Sequence, residues 1–331
     1  MDEPHRLIAD RGDAGQRLDL VLRRHLAAAG ATRTRIQTWI ADGRVAVNGR
    51  GRRRAAARVA SGDIITVAIP DELPGRRPMA AEDRTLDVLY EDAHLLVVDK
   101  PPGVVVHPTY KHADGTMMNA LLWRARTWPA GGRPSIVGRL DKLTSGIVLV
   151  AKRREVHAAL QRAMSSPRAE KDYLAVVYGR MNRARGRIDL PLGRDRRDPR
   201  KVVVSAGGTP SLTLFERIAR AAARREGLAL VRCSLVTGRR HQIRVHLAAR
   251  GWPIVGDPVY GEPRWTHVAD AGLAATLRTF PRQALHAWRL ALRHPATGER
   301  LVVTSRVPDD IAALLGAAGL QRATLDRLLP V

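Results

Sequence analysis

Gly138-Arg139-Leu140-Asp141-Lys142-Leu143-Thr144-Ser145-Gly146-Ile147-Val148-Leu149-Val150-Ala151-Lys152 is the densest stretch of this chain. Ile136 to Leu140 reads as a strand that runs into a turn from Asp141 to Gly146. Ile147 to Val150 is a continuous apolar run, as in a strand buried on both faces. Asp141 therefore stands where strand gives way to turn, and its carboxylate can point into a cleft. An Asp followed by Thr, Ser and Gly can equally well hold a turn by hydrogen bonds alone. Taken alone, the stretch leaves both readings open.

Around it lie further strands and helices. His94 to Lys100 reads as a strand, Pro101-Pro102-Gly103 as a turn, and Val104 to Pro108 as the next strand. Val156 to Met164 has helical periodicity. Tyr173 to Tyr178 and Ala229 to Leu235 read as strands, and His241 to about Arg250 as a helix. Strands and helices do not alternate strictly, so the class is α+β rather than a doubly wound sheet. Cys233, the only cysteine, falls in an apolar strand and is expected in the core, with no internal disulfide or thiolate metal site.

The first 70 residues read differently. Leu18, Val21, Leu22 and Leu26 share a helical face, and Thr32 can cap a second helix with Ile36, Trp39 and Ile40 on its apolar side. Asp42-Gly43 ends that helix. Val45 to Val47, a tight Asn48-Gly49 turn and a later strand at Ile64 to Val67 complete the unit. Arg50, Arg52, Arg53 and Arg54 follow the hairpin. Three prolines and a glycine between Pro70 and Pro78 mark a linker.

Composition narrows the function. The chain has 331 residues and a net charge of +24. Residues 1–78 hold 15 basic and 9 acidic side chains, so both parts carry the excess. Such a charge points to a polyanionic partner, nucleic acid above all. Only six of the 56 basic residues are Lys, so a genome biased toward Arg would also raise the charge. No run of 18 apolar residues predicts a membrane span, and Met1 to Asp10 is not a signal peptide, so the expected compartment is the cytoplasm. A phosphate-binding Gly-x-x-x-x-Gly-Lys, a His-Glu-x-x-His and a Cys-x-x-Cys are all missing, which argues against nucleotide hydrolysis and zinc chemistry. Leu143-Thr144-Ser145-Gly146 lacks the first glycine of a nucleophile elbow.

Two resemblances add to this reading. RLDLVLRRHL (17–26), TRTRIQTWIADGRVAVNGR (32–50) and VASGDIITV (59–67) resemble the alpha-L RNA-binding module of a small-subunit ribosomal protein and several RNA-modifying enzymes. GRLDKLTSGIVLVAK (138–152), EKDYLAVVYG (170–179), TGRRHQIRVHLAARGWPIVGDPVYG (237–261) and LHAWRLALRHP (285–295) resemble, in order, the four main motifs of pseudouridine synthases that modify large-subunit ribosomal RNA. The resemblance implies an alpha-L domain at 15–70, a linker at 71–82, and at 83–331 a catalytic domain on a large mixed, mainly antiparallel sheet. It implies Asp141 as nucleophile, Tyr173 against the target base and a candidate base itself, Arg244 paired with Asp141, Leu285 beneath the tyrosine ring, and Arg139 holding the RNA open. Arg33, Arg35, Gln37 and Arg53 would face RNA phosphates. One departure is Gly138, where the family usually has His.

The implied enzyme is bacterial and monomeric, needs no cofactor or metal, and acts on ribosomal RNA or the pre-ribosomal large subunit, with transfer RNA as the less favoured target. Physical chemistry agrees with these roles. Isomerising uridine needs neither redox nor energy input, an ionised carboxylate is favoured by a neighbouring guanidinium, and an aromatic floor can stack on an extruded base. Arg244 would favour the phenolate of Tyr173 and Asp141 would oppose it, and the sequence leaves that balance open. His107, His241 and His246 read as RNA-facing or structural rather than as metal ligands. A silent RNA-binding factor has no use for Asp141, Tyr173 and Arg244 together, and a glycosidase would need a second carboxylate to activate water.

Overall fold

The computed structural model describes residues 4–26, 31–69, 79–108, 112–179, 181–198, 200–221 and 227–329. They form two compact units that divide after Pro78. Pro70 to Pro78, most of the expected linker, lie outside the described residues.

The smaller unit pairs four strands, β1 (His5–Ile8), β2 (Val45–Val47), β3 (Arg50–Gly51) and β4 (Ile64–Val67), in the order β1-β4-β2-β3. Two helices, α1 (Leu18–His25) and α2 (Arg33–Ala41), bury Leu18, Val21, Leu22, Ile36, Trp39 and Ile40 with Val45, Ile65 and Val67. Thr32 caps α2 by accepting from the Arg35 amide. Asn48 and Gly49 both take positive φ, 51° and 75°, which a two-residue hairpin with native twist requires.

The larger unit is built on twelve strands and six helices among the described residues. The strands are β5 (Asp87–Glu91), β6 (Leu95–Lys100), β7 (Ser135–Val137), β8 (Ser145–Ala151), β9 (Glu170–Tyr178), β10 (Arg185–Asp189), β11 (Leu192–Arg194), β12 (Val202–Val204), β13 (Leu212–Ala221), β14 (Leu228–Leu235), β15 (Leu285–Arg293) and β16 (Arg300–Thr304). The helices are α3 (Met117–Arg124), α4 (Arg154–Ser165), α5 (Gln242–Ala249), α6 (Ala271–Thr279), α7 (Asp309–Ala317) and α8 (Arg322–Leu328). Ten strands form one sheet in the order β10-β13-β14-β9-β15-β8-β6-β5, with β16 added to β15 and β7 to β8, while β11 and β12 make a separate ribbon. Every pairing is antiparallel except β15 with β8.

That parallel contact is short. It joins His286 to Ser145 and Ala287 to Gly146, and then the strands part: β15 continues with β16, and β8 with β7. The sheet thus splits immediately after the Asp141 turn. Gly146 is obligatory there, because its φ is 109° and a Cβ would fall 2.2 Å from the Ala287 carbonyl oxygen. One apolar core gathers β9 and β14 with α5, α6, α7 and α8, and a second gathers β6 and β8 with α3 and α4. Cys233 lies in the first, fully buried.

Val104 to Pro108 does not form the expected strand. Its carbonyls serve other ends: those of Val105 and Val106 accept from the Met117 and Met118 amides at the start of α3, and that of Val104 accepts from Lys100 Nζ. An apolar run whose acceptors are taken by a helix N-terminus has none left for a ladder.

Candidate active site

Asp141 begins a tight turn closed by the Thr144 amide donating to its carbonyl at 3.1 Å. Its carboxylate meets Arg244, which α5 brings in buried: Arg244 Nη1 donates to Asp141 Oδ2 at 2.8 Å. The same guanidinium grips Asp257, through Nε at 2.7 Å and Nη2 at 2.8 Å. Asp257 also accepts from the Val259 and Tyr260 amides. Burial works against the charge on Arg244, but the bonds and charges of Asp257 and Asp141 outweigh it and raise its pKa. Burial would likewise raise Asp257, yet Arg244 and the two amides hold it below the ordinary carboxylate range. The site therefore contains a fixed cation with one carboxylate locked behind it and another, Asp141, presented in front.

His241 starts α5 in the left-handed region, φ 55°. Its Nδ1 lies 2.8 Å from the Tyr260 hydroxyl, whose oxygen accepts from the Val202 amide at 2.9 Å. The other ring nitrogen, Nε2, lies 3.7 Å from Asp141 Oδ1. Burial, with Arg244 and Arg240, lowers His241 to about 4 against the pull of Asp141, so the ring faces Asp141 uncharged at neutral pH.

Tyr173, partly buried on β9, closes a pocket of about 60 Å³ that is also lined by Asp141, Arg139, Leu285, Ile243 and Arg244. Burial and the Asp141 carboxylate push its phenol up to about 12, which decides the balance the sequence left open. Arg139 is exposed, and it and Asp141 also line a broader cavity of about 780 Å³ with His107, Arg200, Lys201 and Arg240. Asp141, Tyr173, Arg244, Leu285 and Arg139 thus come together. Arg33, Arg35 and Arg53 belong to the smaller unit, where all three are exposed. Gln37 is turned inward, against expectation: its Nε2 donates at 2.9 Å to Asp19, a fully buried carboxylate that also needs Arg17.

Comparison with known proteins identifies the family. A model of the RNA pseudouridylate synthase family matches residues 94–249, and a model of the S4 domain matches residues 16–65. "Ribosomal large subunit pseudouridine synthase D" of Pseudomonas aeruginosa is 41% identical over 91% of this chain and 91% of its own. The protein of that name from Nitrosomonas europaea is 39% identical over 92% of this chain and 85% of its own. The chain belongs to the RNA pseudouridylate synthase family. A solved structure, Human RNA Pseudouridylate Synthase Domain Containing 1, overlays this synthase with a TM-score of 0.55 at 26% identity, covering 71% of this chain and 89% of that one.

Gly138 has φ 88° with open space where a Cβ would project, so a histidine here would be strained by its backbone rather than crowded. Asp257, Tyr260 and Lys100 are not singled out by the sequence, and His241 reads there only as RNA-facing or structural. Lys100 ends β6 fully buried, and its Nζ donates to the carbonyls of Pro101 at 2.7 Å, Val104 at 3.1 Å and Lys142 at 3.1 Å. Burial and then Arg282 lower it to about 7, against Asp141 and Asp99. A lysine closing an apolar strand run is the signal that could have marked it. His246, by contrast, is structural: it is buried against Thr213 Oγ1 and the Leu190 carbonyl.

Proposed function

We propose that this synthase isomerises specific uridines of large-subunit ribosomal RNA, with Asp141 as nucleophile, acting as a cytoplasmic monomer without cofactor or metal. The single observation that carries the reading is the Arg244–Asp141 contact at 2.8 Å, at the mouth of a pocket that Tyr173 and Leu285 line. An extruded uridine enters that pocket with its ring on Tyr173, while Arg139 occupies the gap it leaves. The Asp141 carboxylate bonds to C1′ or to C6. The C1′–N1 bond breaks, the ring turns, C5 bonds to C1′, the bond to Asp141 breaks and releases the carboxylate, and the C5 proton departs while N1 gains one. Arg244 holds the carboxylate in position before attack, and Asp257 keeps Arg244 in place. Residues 15–70 serve as the RNA-binding domain, through Arg33, Arg35 and Arg53, and residues 83–331 as the catalytic domain. A glycosidase reading is disfavoured because the carboxylates at hand are engaged: Asp257 is bonded at both oxygens to Arg244, and Asp198, on the broad cavity, at both oxygens to Arg200.

Mapping pseudouridines in ribosomal and transfer RNA from cells with and without the gene tests this. Loss of one or a few large-subunit sites, restored by the wild-type gene and not by Asp141→Asn, is expected. Loss confined to transfer RNA would overturn the substrate assignment.

A further inference from the structure

Each residue after Asp141 is held by a group from another part of the chain. The Lys142 carbonyl accepts from the Gly103 amide at 2.8 Å and from Lys100. Arg282 Nη1 lies 3.4 Å from the Leu143 carbonyl, and Gln283 Nε2 donates to Thr144 Oγ1 at 3.1 Å. Ser145 Oγ lies 3.0 Å from His286 Nδ1. This last bond is one end of a buried chain: His286 Nε2 is 3.0 Å from Ser305 Oγ, which in turn donates to Asp99 Oδ2. Ser145, His286 and Ser305 are no more than 2% exposed.

The chain has a fixed direction. Ser305 gives its proton to Asp99, so its oxygen accepts the His286 Nε2–H. The neutral ring then has a bare Nδ1, which accepts from the Ser145 hydroxyl. Burial and Arg282 lower His286 to about 3, consistent with a neutral ring. These bonds fall where the sheet splits, at the two-residue parallel contact of β8 and β15. So short a pairing fixes register weakly by itself. His286 lines neither the pocket nor the broad cavity.

We propose that His286 is a positioning residue that acts through Ser145 to set the Asp141 turn against Arg244, with Ser305 and Asp99 fixing which ring nitrogen faces Ser145. The proposal rests on Asp141 as nucleophile. A small displacement of a reacting group is enough to slow an enzyme by about 10²-fold, so the chain belongs to the catalytic geometry as well as to the fold.

The two imidazole nitrogens can be replaced separately. His286→Asn leaves an amide oxygen near Nδ1, within reach of Ser145. His286→Gln places its amide near Nε2 and reaches Ser305 instead, and His286→Phe reaches neither. Single-turnover rates at saturating RNA, RNA affinity by filter binding, and amide exchange over 142–146 would be measured for each. Gln and Phe should slow the reaction by about 10- to 100-fold with affinity within about threefold, and Asn should recover most of that loss. Exchange over 142–146 should quicken in Gln and Phe but not in Asn. Equal losses in Asn and Gln would overturn the proposal. If the His286 variants do not fold, Ser145→Ala, which removes one hydroxyl, carries the test: an unchanged rate overturns it. Asp141→Asn serves as control. Should that variant stay active, the nucleophile assignment fails, while the exchange difference between Asn and Gln still decides the positioning role.

Discussion

Asp141 and Arg244 stand 103 residues apart in the chain and 2.8 Å apart in space. Arg244 gives Asp141 one nitrogen and Asp257 two, so its orientation is set from behind and an Nη1 N–H is aimed at Asp141. Replacing Asp141 by Asn keeps the shape and removes the proposed nucleophile. Tritium release from C5-labelled uridine RNA should fall to background while filter-binding affinity stays within several-fold. Substantial turnover would remove Asp141 from the role.

Asp257 should matter without touching substrate. Its loss leaves a buried guanidinium with one carboxylate in place of two. Breaking such a pair from one side costs about 3–5 kcal/mol, so Asp257→Ala should melt well below wild type and lose activity even at temperatures where it is folded. A variant as stable as wild type would mean that Arg244 finds another anchor.

Tyr173 is raised to about 12, so it stays protonated throughout the neutral range. The ratio of single-turnover rates for wild type and Tyr173→Phe should therefore be flat between pH 6 and 9. A ratio that climbs with pH would show a phenolate at work and a pKa far below that value.

Acid should destabilise the protein before its carboxylates titrate. His241 and His286 are lowered from 6.5 to about 4 and about 3. The unfolded chain binds protons that the folded one refuses, so the contribution of these two histidines is full above pH 6.5 and falls as pH drops toward 4, by about 1.4 kcal/mol per pH unit for each proton. Denaturant titrations at pH 7 and 5 check this, and equal stability at both would contradict it.

Removing residues 1–78 should weaken RNA binding and flatten its salt dependence. Every phosphate that these residues no longer neutralise lowers the slope of log K against log salt by about 0.7–0.9. An unchanged slope would mean that Arg33, Arg35 and Arg53 do not meet the RNA.

Much of this was legible in the residues, and the limits have physical causes. Helices α1, α2, α4 and α5 announce themselves by periodicity, and the Asn48-Gly49 turn by its chemistry. Val104 to Pro108 misleads because its pattern records burial, while its hydrogen bonds are spent on α3 and Lys100. Asp257 and His286 are hidden for another reason. Their partners lie 13 and 141 residues away, and no local pattern reports a bond made between separate elements. Gln37 looks like a surface donor until the buried charge of Asp19 claims it.

The place of β15 has a consequence for synthesis. It lies between β9 and β8 in the middle of the sheet, yet it leaves the ribosome after both. Until residues 285–293 emerge, the nascent chain holds two half-sheets with open facing edges, the kind of edge that invites wrong pairing. Its entry joins the two half-sheets and brings His286 to Ser145, so a growing chain cannot complete the Asp141–Ser145 turn before residues 285–293 emerge.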